Sequence, residues 1–181
     1  MACTTTLADI TYSCDDLALG GLTKVWLVDK TALDATTPEI SVATNVVTIS
    51  PTAATLAADS LAYALEFNIK DGFSAFTDVK TISDGSVNAV PTITVEIPKM
   101  SKEHRNALED LANPNAEIVA FVQTAAGTQH LVGWEYGLFV STVDGASGTS
   151  RSEKNRYQIT LTGEQSSLAL DVDDTNWAKV G

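Results

Sequence analysis

The stretch "RYQITLTGEQSSLAL", residues 156–170, decides how the rest of the chain is read. Tyr157, Ile159 and Leu161 alternate with Gln158, Thr160 and Thr162, which is the period of a strand with one buried and one open face. Gly163 and Glu164 then make a polar pause before another apolar run. The same period recurs in "ALEFNIKDG", where Leu65, Phe67 and Ile69 alternate with Glu66, Asn68 and Lys70. It recurs again in "PTITVEIPK", where Ile93, Val95 and Ile97 lie opposite Thr92, Thr94 and Glu96. Repeated half-buried strands of this kind predict a mainly β protein, an antiparallel β-sandwich or barrel.

Further strands fit that frame. "KVWLVDK" (Lys24 to Lys30) is a short β run, and "SVATNVVTIS" after Pro38 holds one or two more. "TAATLAADSLAYAL" is ambiguous between a helix and a loop into a strand. The region of about residues 73–98 divides around Asp84-Gly85, a dipeptide suited to a tight hairpin turn, and predicts an extended hairpin. "AEIVAFVQT" is a strand, and "HLVGWEYGLFVST" is a broad aromatic strand whose two glycines suggest a bulge. "VDGASGTSRSEKN" (Val143 to Asn155) reads as a polar loop that orders when a partner supplies contacts. One helix is expected, in "SKEHRNALEDLANP": Ser101 is its N-cap, His104, Ala107, Leu108 and Leu111 form its stripe, Arg105 and Glu109 can pair, and Asn113-Pro114 ends it. No tandem repeat is present. The expectation is a single domain over residues 1–181 with a small-residue N-terminal arm of about residues 1–23.

The chain carries 11 Lys and Arg against 23 Asp and Glu, a net charge of −12. A general nucleic-acid binder needs a basic footprint to neutralise phosphates, and this chain lacks one. Cys3 and Cys14 are the two cysteines. Their count permits a disulfide, but a chain of this size does not need one terminal staple, so reduced thiols and a cytoplasmic origin are expected. "MACTTTLADI" lacks the basic and apolar regions of a signal peptide, and no apolar run reaches the length of a membrane span.

The search for chemistry yields no catalytic, cofactor-binding or metal residues. His104 falls on the helix stripe beside leucines and reads as structural, and His130 has no spacing that ties it to His104 or to either cysteine. "DVDDTN" (Asp171 to Asn176) alternates carboxylates but lacks the glycine and the glutamate of an EF-hand loop, so it reads as a solvated acidic tail with Ca²⁺ as the weaker alternative. The glycines at Gly20-Gly21 and Gly145 to Gly148 fit neither a P-loop nor a dinucleotide fingerprint. Trp26 and Trp134 sit in strand runs. Trp177, on a polar tail, is expected to be covered, either by a neighbour or, on the blander reading, by folding back on its own sheet.

The helix "KEHRNALEDLANP", the strands "IVAFVQT" and "LVGWEYGLFVS", the polar segment ending "SEKNRYQ", and "ITLTGE" together resemble tail tube proteins of long-tailed bacteriophages, especially phages of Bacteroidetes hosts. The opening "MACTTTLADITYSCDDLALGGLTKVWLVD" resembles the start of virion proteins of such phages. The resemblance implies a virion structural protein and no enzyme. Its subunits would join into hexameric rings and stack into a hollow tail tube, assembled in the host cytoplasm. Partners would be other copies of the chain and other tail proteins, while viral DNA passes through without specific binding. The acidic excess then implies a lumen lined by Asp and Glu that repels phosphate. Another virion component, such as a capsid decoration or tail-terminator protein, is the alternative within that class. A β-sandwich adhesin or carbohydrate-binding module is the alternative outside it.

Overall fold

The computed structural model describes residues 20–30, 40–43, 46–49, 62–66, 74–113, 115–150, 152–178 and 180. Most of the expected N-terminal arm, both cysteines, residues 67–73 and most of "TAATLAADSLAYAL" lie outside the described residues. The elements in chain order are β1 (Leu22–Asp29), β2 (Ile40–Ala43), β3 (Val46–Ile49), β4 (Ala62–Glu66), β5 (Ala75–Ser83), β6 (Ser86–Pro98), α1 (Lys102–Leu111), β7 (Ile118–Thr124), β8 (Gln129–Val132), β9 (Leu138–Ala146), β10 (Arg156–Gly163), β11 (Leu170–Asp171) and α2 (Asp174–Trp177).

The protein is mainly β. One curled antiparallel sheet forms a half-barrel in the order β11-β8-β7-β9-β10-β6-β5, with β1 on the other edge of β7 and β4 beyond β1; β2 and β3 form a separate hairpin. The curl brings the two halves of the sheet face to face. Ile93, Val95, Ile159 and Leu161 of β6 and β10 share a core with Val25, Leu27, Ala120 and Val122 of β1 and β7. Leu108 of α1 closes that core from the side. Tyr157, Ile159 and Leu161 do point together into it, as their spacing requires.

A second core lies on the far face of β1, β7 and β8. Val47 and Ile49 of the β2–β3 hairpin pack there with Val28, Val119, Phe121, Leu131, Val172 and Val180, and Trp26, Trp134 and Trp177 adjoin them. β7 is therefore buried on both faces: Ile118, Ala120 and Val122 serve one core, and Val119 and Phe121 the other. That is why its sequence is a continuous apolar run instead of an alternation.

Two expectations change. "HLVGWEYGLFVST" is not one strand. It breaks between β8 and β9 at a five-residue corner, Gly133 to Gly137, whose two glycines both adopt φ of 79°. Both strands remain on one edge of β7, but β9 meets β7 only at Ile118 and Leu138. The acidic tail is not simply solvated either. Asp173 caps the short helix α2 by accepting a hydrogen bond from the N–H of Asn176 (2.7 Å), and the helix turns Asn176 inward. The Asn176 amide then pairs with the outer edge of β3: its Oδ1 accepts from the Ile49 N–H and its Nδ2 donates to the Val47 carbonyl, each at 3.0 Å. Trp177 folds back with it, edge-on to Phe121 at 6.4 Å between ring centres.

α1 starts where expected, with Ser101 Oγ accepting from the His104 N–H at 3.2 Å. The Arg105–Glu109 pair is exposed at 3.8 Å and contributes little. The segment after β10 straps the sheet together. The Gln165 N–H and C=O pair with those of Ala89, and the Ala169 N–H donates to the Asp78 carboxylate at 2.6 Å. The chain then adds β11 to β8.

Candidate interaction surfaces

The four strands β9, β10, β6 and β5 form a sheet segment with one bare face. Register places Thr77 beside Thr92, Thr92 beside Thr162, and Thr94 beside Thr160, which lies beside Thr142. Alternation turns these residues, with Val79, Thr81, Asn88, Val90, Gln158 and Ser141, away from the core. Within the strands, charge appears on this face only toward one end. There Glu96, itself 8% exposed, accepts from Arg156 at 2.5 Å and from Lys154 at 3.2 Å, and Asp144 lies opposite Gln158. The periodicity of "ITVEIPK" and "RYQITLT" gives the faces but not this ion cluster, because Lys154 arrives from the neighbouring turn.

The hairpin is the longest feature of the segment. β5 and β6 pair from Ala75↔Thr94 to Ser83↔Ser86, leaving Asp84 and Gly85 as a two-residue turn with φ of 49° and 77°. Those left-handed values are what a tight hairpin of native twist demands. Beyond the strap the hairpin is uncovered: Ile82 is 72% and Val87 43% exposed, and the two are cross-strand partners. A shallow cleft of about 520 Å³ lies at the corner end of the bare face, lined by Val90, Tyr136, Phe139, Thr162, Gly163 and Glu164.

Both edges of the segment are open. β5 is the last strand of the sheet, and nothing among the described residues pairs with its outer side. On the opposite edge, Phe139 to Ala146 of β9 pair with β10 alone, because β7 reaches only Leu138.

The expected loop Val143 to Asn155 is shorter and better tied than its composition suggests. β9 continues to Ala146, and the turn that follows is closed by its own side chains. The Glu153 carboxylate accepts from the Thr149 N–H and from the Thr149 hydroxyl (2.9 Å for the latter). Asn155 accepts from the N–H groups of Lys99 (2.8 Å) and Met100 (3.1 Å), holding the turn to the start of α1. The Thr149 N–H, then its hydroxyl, hold the Glu153 carboxyl below the usual carboxylate range. A carboxyl depressed in the folded state favours the fold above its unfolded pKa, and that contribution fades as pH falls through the folded value. In an acid titration followed by NMR, the Thr149 amide should therefore move with a midpoint below that of an ordinary glutamate. Glu153→Gln should abolish the transition.

The residues weighed for chemistry do not converge. The His104 ring contacts the Lys99 carbonyl through Nδ1 at 3.0 Å, a local contact at the helix start. His130 Nδ1 lies 2.8 Å from Asp171 Oδ1 across the β8–β11 pair, with the Phe76 ring 6.0 Å away. In "DVDDTN", Asp171 faces His130, Asp173 caps α2, and Asp174 accepts from Gln129 Nε2 at 3.2 Å, so the three carboxylates are occupied separately. Among the described residues no three His, Cys, Asp or Glu side chains gather to hold a metal, and no helix is long and apolar enough to cross a membrane. No protein-family model, curated protein or solved structure matches the chain.

Proposed function

We propose that the protein is a structural subunit that builds the wall of a hollow tube, the tail tube of a bacteriophage virion. One observation carries the reading: the four-stranded segment has a bare, hydroxyl-rich face, and the body of the subunit lies entirely on the other face. When such sheets close into a ring, the bulky side must point outward and the bare face must point to the axis. Six copies contribute four strands each, and at ~4.8 Å per strand the wall is roughly 115 Å around and about 37 Å across between backbones. Rings then stack, and the uncovered hairpin tip with Ile82 and Val87 reaches the next ring. Assembly takes place in the host cytoplasm, with other tail proteins at the ends.

The inward face refines the expectation of an acidic lumen. Within the strands it carries Glu96 and Asp144 against Arg156 at one end, where Lys154 joins them from the turn, and Thr, Ser and Asn with the apolar Val79, Val90 and Phe139 elsewhere. The cations on this face, Arg156 and Lys154, are held by the Glu96 carboxylate, so the wall has little positive charge left to release counterions from phosphate and retain DNA. Among the described residues most acids, such as Glu103, Glu109, Asp110 and Glu117, lie off this face and serve solubility.

Electron microscopy of the purified protein tests the proposal. Tubes or stacked rings are expected. Removing Ser83–Asn88, with the strands rejoined by a tight turn, should leave a folded subunit that no longer forms long tubes, because the strap holds the hairpin below the cut. Monomers that bind glycans at the Tyr136–Phe139 cleft would instead favour a carbohydrate-binding module.

A further inference from the structure

We infer that the cleft at the corner end of the bare face binds a small organic ammonium ion, of the quaternary kind that choline represents. The inference goes beyond the tube reading and does not depend on it. At about 520 Å³ the cleft falls within the range of small-molecule sites. Two exposed rings line it, Tyr136 (62%) and Phe139 (44%), together with the apolar Val90.

The polar groups of the cleft narrow the ligand. The Thr162 hydroxyl is occupied, donating to the Pro91 carbonyl at 3.4 Å. Glu164 is exposed, and among the described residues no hydrogen bond or ion pair reaches its carboxylate. The cleft thus presents one unpaired negative charge among apolar walls. A neutral apolar guest would cover that charge without pairing it, which is costly. A sugar would find no second free side chain for its many hydroxyls. A metal ion needs more ligands, and among the described residues no three His, Cys, Asp or Glu side chains gather. A quaternary ammonium meets every condition: its methyl groups pack on aromatic faces, which attract cations, and its charge answers the carboxylate. The net charge of −12 draws such a cation toward the protein. The site is also held ready. The Glu135 carboxylate, next to Tyr136, accepts from the Ser166 N–H (2.6 Å) and hydroxyl (2.5 Å), two residues past Glu164. That grip ties the corner to the segment that carries the acid, so little ordering is left for the ligand to impose.

The experiment is saturation-transfer NMR on the full chain, which reads subunits and tubes alike. Choline chloride is compared with dimethylbutanol, its uncharged isostere, and with maltose. Saturable transfer to the choline methyl groups is expected, with dimethylbutanol bound about tenfold more weakly. Glu164→Gln should weaken choline by about fivefold and leave dimethylbutanol unchanged. Tyr136→Ala should weaken choline by about as much. Both side chains are exposed, and circular dichroism checks that the variants fold. Equal binding of choline and dimethylbutanol, or choline binding indifferent to Glu164→Gln, would overturn the inference, as would transfer to maltose and none to choline. Tubes that form without binding choline would sink this inference and leave the tube reading standing. Choline binding by a chain that never assembles would support it and sink the tube reading.

Discussion

Asn176→Leu should lower the free energy of unfolding by about 2–5 kcal/mol, because each of the two buried backbone groups left without the amide costs about 1–3 kcal/mol. The side chains are similar in size, so lost packing is not the cause. The Asn176 amide acts as a one-residue strand along β3: Oδ1 takes the Ile49 N–H and Nδ2 serves the Val47 carbonyl, in a site where Asn176 is 8% exposed. Against a total stability of roughly 5–15 kcal/mol, the loss is large. Asn176→Asp separates the two bonds. Its carboxylate keeps the acceptor for Ile49 but sets a charge against the Val47 carbonyl, and burial beside that oxygen raises its pKa. A raised carboxyl is best tolerated when protonated, so this variant should regain stability as pH falls, whereas the leucine variant should not. Urea unfolding monitored by tryptophan fluorescence at neutral and acid pH reads both. Equal stability of the native chain and Asn176→Leu would remove the amide from the account.

Gly163→Ala should cost about 2–3 kcal/mol, the range for forcing extra atoms into a packed interior. A Cβ at Gly163 would lie 2.5 Å from the Gly137 carbonyl oxygen and 3.0 Å from Leu138 Cδ2. The oxygen belongs to the backbone of the corner and cannot swing aside. Gly163 does not occupy the left-handed region, so the penalty is steric and not conformational. Gly85→Ala makes the opposite comparison: a Cβ there meets nothing within 4 Å, but φ is 77°. Thermal unfolding of the two variants should show the larger drop for Gly163→Ala, with Gly85→Ala limited to the roughly 1–2 kcal/mol of a left-handed alanine.

Gly163 also marks where reading the sequence reaches its limit. In "RYQITLTGEQ" it looks like the start of a turn, and it does end β10, but its reason for being glycine is a carbonyl 26 residues earlier in the chain. Period-two alternation made β6 and β10 legible with their faces, and Asp84-Gly85 made the hairpin tip legible, because those signals are local. The corner in "HLVGWEYGLFVST" left its glycines as a clue, yet a five-residue corner and a one-residue bulge look alike when neither neighbour is known. α2 is too short to show any periodicity, so nothing in "DVDDTNW" distinguished an inward Asn176 from a solvated one. The open edges of β5 and β9 were the least legible feature. Alternation says which way side chains point, but strand order decides which backbone is left unpaired, and order is set by packing across the whole sheet.

β7 has a consequence of its own. Its five residues Ile118 to Val122 are divided between the two cores, which also share β1 and β8. Loosening either core strips one face of the same strand, and the register that aligns Val119 and Phe121 on one side aligns Ala120 and Val122 on the other. The two cores should therefore melt as one cooperative unit, and coincident unfolding transitions by tryptophan fluorescence and circular dichroism would check it. In a tube wall of the proposed kind, such all-or-none behaviour would matter more than total stability. A strain on the β2–β3 side is not absorbed by a soft layer that gives way first; it passes through β7 into the curled sheet.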